Sequence, residues 1–265
     1  MSETPPKPEL RNAGRWLILL AVAVVLLRWA YQAFTGITFE DSLISLRYAE
    51  NLASGLGMVY NPGERVFGAS TPLHVLLLSG LTRIGLPALT VAKLLTGAAD
   101  GVTLYLWGRW LLKATGRLRA ALAFALLFGL SPLMVQVSVS GMETSFALLL
   151  LTLAVVWDSE ERPLLCGLAL GLLILVRPDG LLAALVLLGL RALRTRAVPW
   201  LPAGVAVLVT LPWVVSATLY YGSPIPNSIP AKAAAYNLHR TSLWPSFFGL
   251  LAELAPIRGP VGRAV

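Results

Sequence analysis

Between Trp16 and Phe34 the chain runs nineteen residues with a single charge, Arg28. About 20 mainly apolar residues are what a helix needs to cross the hydrocarbon core of a bilayer, where every backbone polar group must be bonded internally. Comparable runs recur at Thr71–Leu86, Ala88–Leu112, Leu118–Val139, Glu143–Trp157, Pro163–Val176, Gly180–Leu190 and Val198–Tyr221. The pattern predicts an all-α fold, a polytopic transmembrane helix bundle. Composition agrees: 57% of residues are hydrophobic and 13% charged, against about 25% charged in soluble chains. Mean hydropathy is +0.74. These values exclude a disordered tail and a nucleic-acid-binding domain. The net charge of +8 fits Lys and Arg gathered in cytoplasmic loops.

The basic residues set an expected orientation. Lys7, Arg11 and Arg15 lie in a polar tail, residues 1–15, that lacks the features of a cleavable signal. Two further clusters are Arg109, Lys113, Arg117 and Arg119, and Arg191, Arg194 and Arg196. All three are expected on the cytoplasmic side, with a cytoplasmic N-terminus. Residues 35–70 set Glu40, Asp41, Glu50 and Glu64 against Arg47 and Arg65 and are expected outside. Segment 71–112 must then cross an odd number of times, so one of its two runs is expected to be partial. If both cross, residues 140–143, 177–180 and 221–232 move to the cytoplasmic side. Arg28 is expected to snorkel outward, and Lys93 and Asp100, seven apart, could pair. Arg177-Pro178-Asp179-Gly180 reads as the turn of a helical hairpin, with two half-helices meeting in the bilayer as the alternative. One cysteine, Cys166, and two histidines, His74 and His239, offer no disulfide and no His-rich metal site. His74 is expected at the interface.

The loop at 35–70 carries a helical pattern of its own. With Asp41 as N-cap, Ile44, Tyr48 and Leu52 share one face, and Arg47, Glu50, Asn51 and Ser54 another. This predicts an amphipathic helix on the membrane surface. Asn61-Pro62-Gly63 follows as a turn.

The run from Phe39 to Leu52, then Gly55, Gly57, Tyr60-Asn61-Pro62-Gly63-Glu64-Arg65-Val66, Gly68 and Ser70-Thr71-Pro72-Leu73, resembles the first periplasmic loop of bacterial GT-C glycosyltransferases. The arabinofuranosyltransferase-like group is the nearest in pattern. Three later motifs come in that family's order: Gly141-Met142-Glu143-Thr144, Arg177-Pro178-Asp179-Gly180, and Tyr221 to Ser228 with Lys232 beyond. The resemblance covers about residues 15 to 240. Glu40-Asp41 stands where the family usually has two aspartates, and Leu56, Phe67 and His74 also depart from its pattern. Members are considerably longer, so residues 16–240 are expected to be the transmembrane module of an N-terminal portion. Residues 241–265 would be a tail or the start of a further part.

The resemblance implies a hexosyl- or pentosyltransferase that moves a sugar from a polyprenyl-phosphate donor to a cell-envelope glycan or lipid acceptor. Asp41, or Glu40, would be the catalytic base, since an acceptor hydroxyl must lose its proton to a group in hydrogen-bond reach. A plain N-cap is the other reading of Asp41. Glu143 would orient substrate, or simply end a helix at the interface. Arg177 would contact phosphate, or pair with Asp179 across the turn. Lys232 would bind the lipid phosphate, or snorkel. Arg47 is a further sugar-contact candidate, and a solvated face is its plainer reading. No cofactor and no metal site is assigned; some members of the family bind divalent cations, so that point stays open. Two rival readings stand beside this one. One is a non-catalytic or partner-dependent membrane protein. The other is a lipid flippase or transporter.

Overall fold

The computed structural model of the chain describes residues 12–235. Among these residues all regular structure is helical. The helices are α1 (Ala13–Thr35), α2 (Glu40–Ala53), α3 (Pro72–Arg83), α4 (Ala88–Thr115), α5 (Leu118–Leu130), α6 (Pro132–Val139), α7 (Thr144–Ser159), α8 (Pro163–Val176), α9 (Gly180–Thr195), α10 (Trp200–Tyr221) and α11 (Ser228–Ala235). Each apolar run of the sequence returns as helix, and the chain forms an all-α membrane bundle. By length and composition α1 and α10 can cross a bilayer, and α5 with α6 makes a third span if the bent pair counts as one. Helix α3, at twelve residues, rises roughly 18 Å, well short of the ~30 Å hydrocarbon core.

The expected single helix over Leu118–Val139 is broken. Ser131 is extended and the axis turns by 57°. Pro132 is the cause: it lacks an N–H, and its ring pushes the preceding residue out of the helical region. Pro132 instead starts α6 at its first turn, where the missing donor costs nothing.

The longest helix, α4, is central and meets α1, α3, α5, α6 and α7. Its glycines form the groove that receives α1. A Cβ at Gly97 would lie 2.7 Å from Trp29 Nε1, and one at Gly108 2.7 Å from Leu17. The pairs 97 with 29 and 108 with 17 place the two helices antiparallel. In this seam Arg28 and Asp100 form a buried ion pair at 3.5 Å, each side chain 2% exposed. Arg28 therefore does not snorkel; it faces the bundle. Lys93 is not the partner of Asp100 either, because its Nζ donates to the carbonyl of Ile37 at 2.7 Å.

The second half of the bundle packs just as closely. Helices α8 and α9 form the hairpin, with Gly180 N donating to the Arg177 carbonyl at 2.9 Å in the turn. Ala169, Leu170 and Ala184 share one apolar cluster with Ala154 and Ala206. Gly167 and Gly171, spaced four apart on α8, lie against the α10 backbone. A Cβ at Gly167 would meet Pro202 O at 2.5 Å, and one at Gly171 Ala206 O at 2.9 Å. Small residues at this spacing let membrane helices approach to backbone contact.

Two stability outcomes follow. Asp100→Ala should destabilise the bundle by about 3–5 kcal/mol, because it strands a buried guanidinium. Arg28→Met combined with Asp100→Ala should recover most of that loss in unfolding from detergent micelles. Equal loss in the single and double variants would contradict the pairing. Gly171→Leu should separate α8 from α10 and lower the unfolding midpoint, while Gly189→Leu, at an open position, should leave it nearly unchanged.

Candidate functional site

The site gathers at the end of the bundle where α2 begins. Gly36 ends α1 in the left-handed region, and Phe39, in extended form, donates its N–H to the Ser140 carbonyl at 3.3 Å. This bond sets the first turn of α2 beside Gly141-Met142-Glu143. Gly141 has φ +80°, a conformation that glycine adopts without steric cost. Helix α2 starts two residues earlier than expected: Phe39 is the N-cap and Asp41 lies within the first turn. The carboxylate is thus not the cap, though it remains among the free N-terminal amides, where negative charge is favoured.

The buried face of α2 also differs from expectation. Ser42, Ser45, Leu46, Tyr48, Ala49 and Asn51 are buried, while Ile44 is exposed. Tyr48 is buried, as its place on the apolar face predicts, and the small residues Ser42, Ser45 and Ala49 beside it bring α2 close to α3 and α4. Asn51, expected on a solvated face, donates its amide to the carbonyls of Val59 and Tyr60, both at 2.8 Å. Ser45 Oγ and Thr71 Oγ1 share a hydrogen bond at 3.0 Å. Tyr48 OH donates to the Val66 carbonyl at 2.6 Å and accepts from Gly68 N at 2.9 Å. Residues 57–71 are thereby strapped along α2. Their other side is held by α10 and the segment after it. Phe67 stacks on Tyr221 with centroids 4.8 Å apart, Tyr221 OH donates to the Met58 carbonyl, and Asn227 N donates to the Phe67 carbonyl at 2.7 Å.

The hairpin turn closes the site from the third side. Arg177 reaches Asp179 with Nε at 2.9 Å and Nη2 at 3.0 Å, and it reaches Glu143 Oε1 with Nη1 at 3.2 Å. Nη1 also donates to Thr144 Oγ1 at 3.3 Å. The pairing across the turn and the link to Glu143 therefore coexist in one guanidinium. Burial holds the Glu143 carboxyl above its ordinary range, against the pull of Arg177, and the nearby charges of Asp179 and Asp41 add to the rise. Hydrogen bonding from Arg177 holds Asp179 below its ordinary range.

Two adjoining cavities result. The smaller, about 170 Å³, is lined by Asp41, Ser45, Thr71, Glu143, Arg177 and Ser228 among others. The larger, about 680 Å³, is lined by Glu40, Asp41, Tyr48, Tyr60, Asn61 and Asn227 among others. Asp41, Ile44, Gly68 and Ser228 belong to both. Of the candidate residues, Asp41, Glu143 and Arg177 meet at the smaller cavity, with Asp179 bound to Arg177. Glu40 lines the larger one alone. Arg47 is exposed and lines neither. Lys232 follows Ser228 by one turn of α11, and its side chain lies outside the described residues. Ser45, Thr71 and Ser228 were not singled out from sequence. The signal for Ser45 was its three-residue spacing from Ser42 on a face of small residues.

His74, expected at the interface, is buried against Phe146 with ring centroids 5.7 Å apart. Both ring nitrogens lack a hydrogen-bond partner among the described residues, and burial pushes its pKa down to about 4. No group of three or more His, Cys, Asp or Glu among the described residues is arranged to hold a metal ion.

No family model matches the chain, and no solved structure matches it. Among curated proteins it is similar to a Mycobacterium tuberculosis protein described as terminal beta-(1->2)-arabinofuranosyltransferase. The two are 31% identical over 247 residues, which cover 83% of this chain and 38% of the relative. The chain thus spans well under half of that relative's length. The similarity supports a relationship to a glycosyltransferase.

Arg177→Gln removes the cation beside Glu143. An acid whose folded pKa is raised loses stability as pH rises past its unfolded value of about 4.3 and regains it on acidification. The wild type therefore gains some stability between pH 7 and pH 5 through Glu143, and the variant should gain more. Unfolding midpoints measured across that range check this; parallel profiles would show that Arg177 does not stabilise the Glu143 carboxylate.

Proposed function

We infer that this chain carries the catalytic face of a membrane glycosyltransferase. It moves a sugar from a polyprenyl-phosphate donor to a glycan or lipid acceptor of the cell envelope. The observation that carries the reading is convergence: segments 41–45, 68–71, 142–143, 177–178 and residue 228 meet around one small polar cavity. They are the segments that resemble GT-C motifs, and the arabinofuranosyltransferase relative supports the same class. In this reading the site faces the periplasm of the inner membrane and the N-terminus is cytoplasmic.

The acceptor hydroxyl attacks the anomeric carbon. Its oxygen–carbon bond forms as the bond from the anomeric carbon to the phosphate oxygen breaks. The hydroxyl proton passes to Asp41, and the phosphate departs as an anion, so no general acid is required. Asp41 is preferred to Glu40 because it alone of the two borders both cavities. The larger cavity, with Tyr60 and Asn61 on its wall, receives the acceptor. Arg177 keeps Glu143 and Asp179 in place and has one further N–H to offer the phosphate, with Lys232 proposed as a second phosphate contact. The surplus of carboxylates at the smaller cavity suits proton removal.

Asp41→Asn in the intact, membrane-inserted protein should lower transfer at least ~100-fold, the usual worth of a positioned base, with donor binding retained. Product formation from a polyprenyl-phosphate sugar, followed by mass spectrometry, measures it. Transfer within about threefold of wild type would remove Asp41 from the role of base.

A further inference from the structure

A second cleft lies at the other ends of α4 and α7. Helix α7 starts beside Glu143 and ends at Ser159, so the two sites lie roughly 24 Å apart along it. The cleft has a volume of about 940 Å³. Leu106, Leu153, Val156 and Trp157 form its apolar wall, and Arg109, Lys113 and Arg162 stand at its rim. Trp107 Nε1 bonds Thr152 Oγ1 at 2.9 Å and Trp110 Nε1 bonds Ser159 Oγ at 3.2 Å, which fixes the spacing of the two helices along the cleft.

The charges at this end are divided unequally. Arg191 and Arg194 on α9 are answered by Asp158 and Glu161. Arg162 is paired with Glu160 at 3.4 Å. Arg109 and Lys113, which line the cleft, and Arg117 and Arg119, which follow them in sequence, have no acid partner among the described residues. Arg109 instead contacts Tyr105, its Nη1 at 3.3 Å from the hydroxyl and its guanidinium 5.8 Å from the ring centre. Spare cations above an apolar groove, with indole and phenol rings at the boundary, are the two halves of an amphiphile's complement. Guanidinium and ammonium groups bind phosphate, and aromatic rings favour the headgroup level of a bilayer.

We propose that this cleft binds an anionic phospholipid, with its phosphate between Arg109 and Lys113 and an acyl chain along Leu106, Leu153 and Val156. The site is separate from the glycosyl-transfer face and does not depend on that reading. The volume suits a headgroup with part of one chain. The unpaired charge selects an anionic headgroup over a zwitterionic one.

The test is native mass spectrometry of the intact protein released from detergent, titrated with phosphatidylglycerol or phosphatidylcholine. Wild type should hold phosphatidylglycerol at least tenfold more tightly. Arg109→Gln with Lys113→Gln should lose that preference at least fivefold. Arg109→Lys with Lys113→Arg should keep it, as should Arg83→Gln, an exposed cation on α3. An unchanged tryptophan near-ultraviolet spectrum shows that each variant is folded. Equal binding of the two lipids, or a preference untouched by the double Gln variant, overturns the proposal. So does an equal loss in Arg83→Gln, which would mean generic charge attraction. Glycerol phosphate binding as tightly as the lipid would overturn the role of the apolar wall.

Discussion

The buried pair of Arg28 and Asp100 is the constraint on which the rest of the bundle depends. Neither charge is tolerable in that seam alone. Together they admit α1 to the glycine groove of α4, and the groove in turn requires glycines at 97 and 108, where larger side chains would hold the helices apart. With α1 seated, α4 becomes a central post. It carries α2 and α3 near one end and the basic cleft at the other. Lys93, on the same helix, fixes the chain entering α2 through the Ile37 carbonyl. The position of the first carboxylates is therefore set by α4 before any substrate is considered.

The candidate site is then assembled by neutral contacts, with one ionic junction. Hydroxyl and amide groups of α2, namely Ser45, Tyr48 and Asn51, bind the long connection that follows it. Aromatic rings of α10 cover its other side. Arg177 is the ionic junction, joining the α8–α9 turn to the start of α7. The arrangement explains how motifs more than 180 residues apart in sequence, at Asp41 and Ser228, come to share a cavity. No single loop holds the chemistry, and each wall comes from an element fixed independently.

Much of this was legible in the sequence, and the limits have physical causes. Apolar runs located the helices to within a few residues, because hydropathy and length decide what a bilayer accepts. The turn at Arg177-Pro178-Asp179-Gly180 was legible from its residue types. The break at Ser131-Pro132 was passed over because hydropathy does not register a missing N–H. Arg28 was misread because an isolated charge in a span gives no hint of which helix answers it. On α2 the helical period places Ile44 with Tyr48 on one face, yet Tyr48 is buried and Ile44 exposed, because bulk does not register where serine and alanine line a close helix approach. Asn51 shows the same limit: its two carbonyl partners lie eight and nine residues away, in a loop whose path the sequence does not disclose. Of the site, the carboxylates and Arg177 could be found by residue type, but the hydroxyl lining could not.

The anchoring of residues 57–68 on the end of α10 has a mechanical consequence. Helix α10 has 22 residues and rises roughly 33 Å, slightly more than the apolar thickness of a typical bilayer. A helix of that length adjusts its tilt when the bilayer thins or thickens. Phe67 and Met58 are fastened to Tyr221 at the end of that lever, and Asn227 is bonded in turn to Phe67. A change of tilt is passed through those contacts to the walls of both cavities, so the thickness of the surrounding lipid becomes one of the dimensions of the site.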